Sequence, residues 1–257
     1  TFVFTGDLDD LWLRDSAAQV HPYISLVNES PDMARLIRGL IKRHAMYIRF
    51  DPWANAFRID TKYKFNPEQK SLGRHGYIST RNYELDSGCY YIRMLYRFWK
   101  VSSSDESVLR DRETIDAVRI LIELWRSEQH HEENEVARSE LFDCVNCGKP
   151  YRYKKLSRNG KGSKTKYTGM TYSPYRPSDD AQQYGFLVPS NMFAVSALRM
   201  VVEMADNLWH DTSISNSARD LANDIETGIR QHGIVQHKGK HIYAYEVDGL
   251  GHYNLMD

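Results

Sequence analysis

Apolar side chains recur at spacings of three and four along three long stretches of the chain, and each stretch holds two such runs. After Asp15-Ser16, residues Ala17 to Val27 carry a mostly apolar face. Ser30-Pro31-Asp32 then opens a second run, with Met33, Leu36, Ile37, Leu40 and Ile41 on one side. A serine cap, a proline at the first helical position and an acid in the first turn mark a helix start. The next pair begins after Asp86-Ser87 and runs through Tyr90 to Trp99. Its return run, from about residue 104 to 132, buries Leu109, Ile115, Val118, Leu121, Ile122 and Trp125. A third pair starts near Pro189-Ser190, runs through Met192 to Met204, and returns from Ser215 to Gln231 with Ala218, Leu221, Ala222, Ile225 and Ile229 inward. The periodicity predicts an all-α chain built from three αα-hairpins.

The remaining segments lack this period. Phe50 to Asn66 reads as a long loop or short strands, and Ile234 to Tyr245 as two short strands around a Lys238-Gly239 turn. Leu156 to Thr168 is basic and glycine-bearing, and reads as a solvated surface hairpin.

The hairpins share an acidic lead-in. Leu13-Arg14-Asp15-Ser16, Glu84-Leu85-Asp86-Ser87 and Pro177-Ser178-Asp179-Asp180 each precede or open the first helix of a pair, and Glu246-Val247-Asp248-Gly249 follows at the end of the chain. The spacing is about 70–90 residues, a weak internal repeat of hairpins. Packed in a ring with every first helix inside, such hairpins converge their acids on one end. Helix capping alone also favours acids there.

Composition narrows the function. The chain has 34 Lys+Arg against 34 Asp+Glu among 257 residues, so it lacks the net positive charge that attracts nucleic acid or anionic membrane. No apolar run approaches the roughly 20 residues of a membrane span. Three cysteines cannot close a disulfide framework. The Cys144-Val145-Asn146-Cys147-Gly148 segment has the shape of half a zinc knuckle, with only His130, His131 and Cys89 to complete it, and reads as a surface loop. There is no P-loop, dinucleotide glycine fingerprint, Gly-x-Ser-x-Gly elbow or His-Glu-x-x-His helix. What stands out is 17 Tyr and 5 Trp, many beside charged groups, a surface suited to sugars.

Carboxylates with aromatics, arginine and amides are the chemistry of glycosidic bond cleavage. One carboxyl must carry a proton for the leaving oxygen, and another activates water or attacks the sugar. Trp12, Tyr184 and Tyr245 are candidates to stack on sugar faces, and Arg14, Arg176 and Asn191 to bind hydroxyls. The competing reading makes Arg14–Asp15 and Arg176–Asp179 local ion pairs that hold loops.

Four motifs in order resemble family 125 of the glycoside hydrolases. They are Gly6-Asp7-Leu8-Asp9-Asp10-Leu11-Trp12-Leu13-Arg14-Asp15-Ser16-Ala17-Ala18-Gln19-Val20, then Tyr83-Glu84-Leu85-Asp86-Ser87. Arg176-Pro177-Ser178-Asp179-Asp180-Ala181 with Pro189-Ser190-Asn191-Met192-Phe193-Ala194 follows, and last Tyr243-Ala244-Tyr245-Glu246-Val247-Asp248-Gly249-Leu250-Gly251. The resemblance implies an inverting, metal-independent exo-α-1,6-mannosidase on an (α/α)6 six-hairpin toroid, with an α-mannoside substrate and no cofactor. It implies a general acid at Asp179 or Asp180, and a terminal-mannose subsite lined by Trp12, Arg14, Asp15, Asp86, Asn191 and Glu246, beside the Arg176 and Tyr245 chosen above. In that family the general base lies downstream of the Tyr-Glu-Val-Asp-Gly motif, beyond Asp257. The chain begins without Met, and is expected to be a fragment: one partial catalytic domain over 1–257, holding about four of the six hairpins, with an insertion loop over 133–175. The alternatives are a catalytically inactive carbohydrate-binding protein on the same scaffold, and a helical interaction module around the Cys144–Cys147 loop.

Overall fold

A computed structural model describes residues 1–6, 9–61, 76–103, 106–133, 156–158 and 161–256. The three helix pairs are present. The first joins α1 (Leu13–Val20) to α2 (Pro31–Phe50) through a 3-10 turn over His21–Leu26. The second joins α3 (Leu85–Val101) to a short α4 (Ser107–Arg110) and to α5 (Arg112–Gln129). The third joins α6 (Val188–Met204) to α7 (Thr212–His232) through a single π-helical turn, Ala205–Trp209.

The helices form two layers. The first helix of each pair packs on the next, α1 on α3 and α3 on α6, and the returning helices α2, α5 and α7 pack outside them in the same order. One continuous apolar core fills the space between, with Tyr47, Tyr91, Phe98 and Trp125 fully enclosed.

The two layers start differently. Each returning helix has a side-chain cap: Ser30 accepts from the Met33 amide, Asp111 from Glu113 and Asp211 from Ile214. None of α1, α3 and α6 has one. Asp15-Ser16 and Asp86-Ser87, after which the apolar runs begin, lie inside the first turns of α1 and α3, because both helices begin earlier than their apolar periodicity does. Ser16 instead donates to the Trp12 carbonyl at 2.7 Å, and is joined to His44 Nε2 of α2 at 2.8 Å. The second return run is likewise broken at Asp111, whose extended backbone ends α4 and whose carboxylate starts α5.

Short strands set the helix entries. β1 (Asp10–Trp12), β2 (Ala56–Arg58) and β3 (Ile78–Thr80) form an antiparallel sheet in that order. A second sheet joins β4 (Phe186–Leu187), β7 (Glu246–Val247) and β8 (Tyr253–Asn254). Between them in sequence, β5 (Ile234–His237) and β6 (Lys240–Tyr243) form the expected hairpin. Its Lys238-Gly239 turn has positive φ at both residues, the geometry that matches strand twist in a two-residue loop.

The basic segment differs from the expectation of a solvated loop. Ser157 and Gly162 do close a turn on each other. Beyond it Lys164, Lys166 and Tyr167 do face solvent, but the chain is held down between them: the Thr165 amide donates to Glu132, the Lys166 amide to the Asp248 carbonyl, and Thr165 and Thr168 are buried. The rest of the expected insertion, over 134–155 and including Cys144 and Cys147, lies outside the described residues. Cys89 is buried in α3, its thiol directed at the Leu85 carbonyl.

Candidate active site

The entries to α1 and α3 are locked together by one residue. Asn55 accepts the Leu13 amide on its backbone carbonyl at 3.0 Å, while its side-chain oxygen accepts from Thr80 Oγ1 at 2.6 Å and from the Asn82 amide at 3.1 Å. This fixes the first turn of α1 against the segment Thr80–Asn82 that leads into α3. Arg14 Nη1 therefore donates to Glu84 Oε2 at 2.7 Å. The same nitrogen lies 3.6 Å from Asp86, and Arg14 Nε lies 3.5 Å from the exposed Asp15. Ser87 Oγ adds a second donor to Glu84 Oε2 at 3.1 Å.

The third inner helix contributes through the hairpin that precedes it. Tyr175 and Ala181 pair across a tight loop, in which the Asp179 amide donates to the Arg176 carbonyl and the Arg176 amide to the Asp180 carbonyl, each at 2.9 Å. Pro177 occupies the corner, and Asp179 has φ of 65°, the left-handed position that such three-residue loops usually give to glycine. The half-buried Asp179 carboxyl meets the Glu84 carboxyl and lies within the field of Arg14. The neighbouring Asp180 is exposed and takes only a long bond, 3.3 Å, from Ser178 Oγ.

Charge in this cluster is unbalanced. Four carboxyl groups, of Glu84, Asp86, Asp15 and Asp179, act on the single Arg14 guanidinium, and raise its proton affinity although burial works against it. Burial pushes Glu84 well above the ordinary carboxylate range, and Asp86 and Asp179 push it further, against the pull of Arg14. Asp86 is raised for the same first reason, burial. The uncapped N-termini of α1 and α3 face this corner with their positive dipole ends, which offsets part of the crowding.

The hairpin also ties this corner to a second one. Arg176 Nε donates to the fully buried Glu246 at 2.5 Å, with its guanidinium 5.6 Å from the Tyr245 ring centre. Glu246, on β7, further accepts from the Gln183 and Tyr184 amides at 3.0 and 2.9 Å. Half-buried Tyr184 stacks on His252, with ring centres 6.0 Å apart. Half-buried Trp12 stands at the end of β1, one residue before α1.

Asn191 is placed differently. It is fully buried near the start of α6, where its amide bonds the Thr171 amide, the Thr171 carbonyl and the Leu187 carbonyl. It thereby ties the extended segment before the Arg176 hairpin to the start of α6. Glu84 was overlooked as a site residue, because in the sequence it reads as the lead-in to Asp86. Only the packing of α1 on α3 brings it to Arg14.

Known proteins resemble this chain over its whole length. A family model described as metal-independent alpha-mannosidase (GH125) matches residues 1–257. A curated relative, the meiotically up-regulated gene 157 protein of Schizosaccharomyces pombe, is 32% identical over all of this chain and 52% of its own length. A solved structure from Streptococcus pneumoniae, titled as a metal-independent alpha mannosidase in a non-productive complex with alpha-1,6-mannobiose, superposes with a TM-score of 0.87. It is 35% identical and is covered over 59% of its chain. The chain thus spans somewhat more than half the length of these relatives. With four motifs, the layered helix pairs and the family model in agreement over its whole length, the chain belongs to glycoside hydrolase family 125.

Proposed function

We propose that the full-length protein removes terminal α-1,6-linked mannose from mannosides or N-glycans by inverting hydrolysis, with Asp179 as general acid. The observation that carries the acid assignment is the contrast between the two aspartates. Asp179 is half-buried against Glu84 and Arg14, whereas Asp180 faces solvent. A half-buried carboxyl set among the other groups of the cluster can face a bound leaving oxygen, whereas one directed into solvent does not. The sugar and its linkage are supported by family membership and by the α-1,6-mannobiose in the streptococcal title.

In this reading Asp179 protonates the leaving oxygen while water attacks the opposite sugar face. Arg14, Asp15 and Asp86 receive the hydroxyls of the terminal mannose, with Trp12 and Tyr245 against its faces and Arg176–Glu246 behind. Asn191 serves the same subsite by holding the Arg176 hairpin in place. The base stands about 6.5–9.5 Å from the acid, leaving room for that water. The hairpins described here form part of a six-hairpin (α/α) ring, a single catalytic domain carrying 133–175 as an insertion.

The test is to treat the full-length protein with excess chelator, supply α-1,6-mannobiose and follow the released sugar by NMR. β-Mannose is expected first, before mutarotation, at an undiminished rate. Release of α-mannose first, or loss of activity that calcium or zinc restores, overturns the reading.

A further inference from the structure

We propose that Glu84 is a positioning residue that holds one proton jointly with Asp179, so that the pair stays protonated until the leaving oxygen takes it. The proposal rests on the reading of Asp179 as the acid. Its ground is an accounting of the Glu84 oxygens. Oε2 is fully engaged, accepting from Arg14 at 2.7 Å and from Ser87 at 3.1 Å. Oε1 is enclosed in a residue only 2% exposed and has no donor among the described residues. Asp179 Oδ1 is likewise enclosed without a donor among the described residues. The two carboxyls nevertheless lie within hydrogen-bonding reach of each other. Two acceptors can be joined only by a proton, and leaving both ionised would bury adjacent like charges at high cost.

The surroundings favour one negative charge on the pair over two or none. From α1, Arg14 binds Glu84 Oε2, so it favours one negative charge on the pair. From α3, the buried Asp86 adds negative charge and opposes a second ionisation. Asp15 competes for the same guanidinium from the exposed side. The pair therefore titrates as a unit, as coupled carboxyls do. In the reaction, Asp179 transfers the proton to the glycosidic oxygen as the C1–O bond breaks and that oxygen keeps the electron pair. The pair is left doubly charged beside Arg14, and takes a proton from solvent once the product leaves.

Glu84→Gln in the full-length protein separates this from a structural role. The amide keeps the shape and an acceptor for Arg14, but removes the charge. The alkaline limb of kcat/KM on an unactivated mannoside is expected to move down by about one pH unit or more, with activity recovering at lower pH. A mannoside with an activated leaving group should show little loss. An even loss across pH, or an unmoved limb, overturns the proposal. A second readout needs no turnover. The infrared band of un-ionised carboxylic acid at neutral pH should lose intensity in both Glu84→Gln and Asp179→Asn, and an unchanged band in Asp179→Asn overturns the shared proton even if Glu84→Gln fails to fold. If Asp179→Asn keeps full activity on unactivated mannosides, the acid assignment falls, and the infrared comparison still decides whether the two carboxyls share a proton.

Discussion

Asp179 occupies a backbone position where a side chain is uncommon, with φ of 65° at the end of a proline-cornered loop. Aspartate and asparagine enter this region at less cost than other non-glycine residues, because their short polar side chains bond locally. Asp179→Asn therefore keeps the loop and removes only the transferable proton. On a mannoside with a poor leaving group its turnover should fall by about two to four orders of magnitude, and by much less on an activated one. Asp180→Asn should show no such dependence, since its side chain faces solvent. Steady-state kinetics of both variants on the two substrate types checks this, and equal behaviour of the two contradicts the assignment.

Among the elements, the inner and outer helices divide their tasks. The outer ones are closed at their starts by Ser30, Asp111 and Asp211, whereas the inner ones leave their first turns to Arg14, Asp15 and Asp86. The segment Thr168–Met170 bends at Gly169, with φ of 84°, and packs on α7. It crosses α7 at Gly228, where an added Cβ would lie 2.9 Å from the Met170 nitrogen and 3.1 Å from the Gly169 carbonyl carbon, closer still to the Thr168 carbonyl oxygen. Backbone atoms cannot swing aside as side chains do. Gly228→Ala should therefore destabilise by about 1–3 kcal/mol, in spite of alanine's better helix propensity, as overpacked sites do. A denaturant midpoint equal to or above that of the wild type would contradict this contact.

At the scale of the whole molecule, His44 joins the layers. It sits on the outer helix α2, joined to Ser16 of α1 and stacked on Tyr91 of α3 with ring centres 5.8 Å apart. Complete burial lowers its pKa from 6.5 to about 3. The folded state thus holds it neutral while the unfolded chain protonates it near pH 6.5, so the unfolded state binds more protons as pH falls. The contribution to stability is complete above about pH 6.5 and is lost progressively toward pH 3, amounting to about 4 kcal/mol over that window. His44→Gln removes this titration. Chemical denaturation from pH 7 to pH 4 should show a steeper loss of stability in the wild type than in the variant, and parallel curves would refute the burial argument.

The amphipathic runs of Leu36, Ile37, Leu40 and Ile41, or of Leu221, Ala222, Ile225 and Ile229, are local patterns, and they determined the helix pairs without reference to the rest of the chain. The acidic motifs likewise determined the family and the list from which the site is drawn, because spacing and residue type are properties of the chain itself. Helix starts were less legible. Asp15-Ser16 and Asp86-Ser87 have the composition of caps, and it is the strand entries at Trp12 and Thr80, fastened by Asn55, that begin each helix sooner. The basic segment before Arg176 was only partly legible: its lysines mark it as solvated, while Thr165 and Thr168, and the continuous run after them to Tyr175, find a buried surface only once α5, α6 and α7 have assembled. The distinction between Asp179 and Asp180 was beyond the sequence, since adjacent identical side chains differ only in the direction that a left-handed φ sends them. The part taken by Glu84 was decided by tertiary structure, because apart from Asp86 its charge environment comes from Arg14, 70 positions before it, and Asp179, 95 after it, which only helix packing brings within reach.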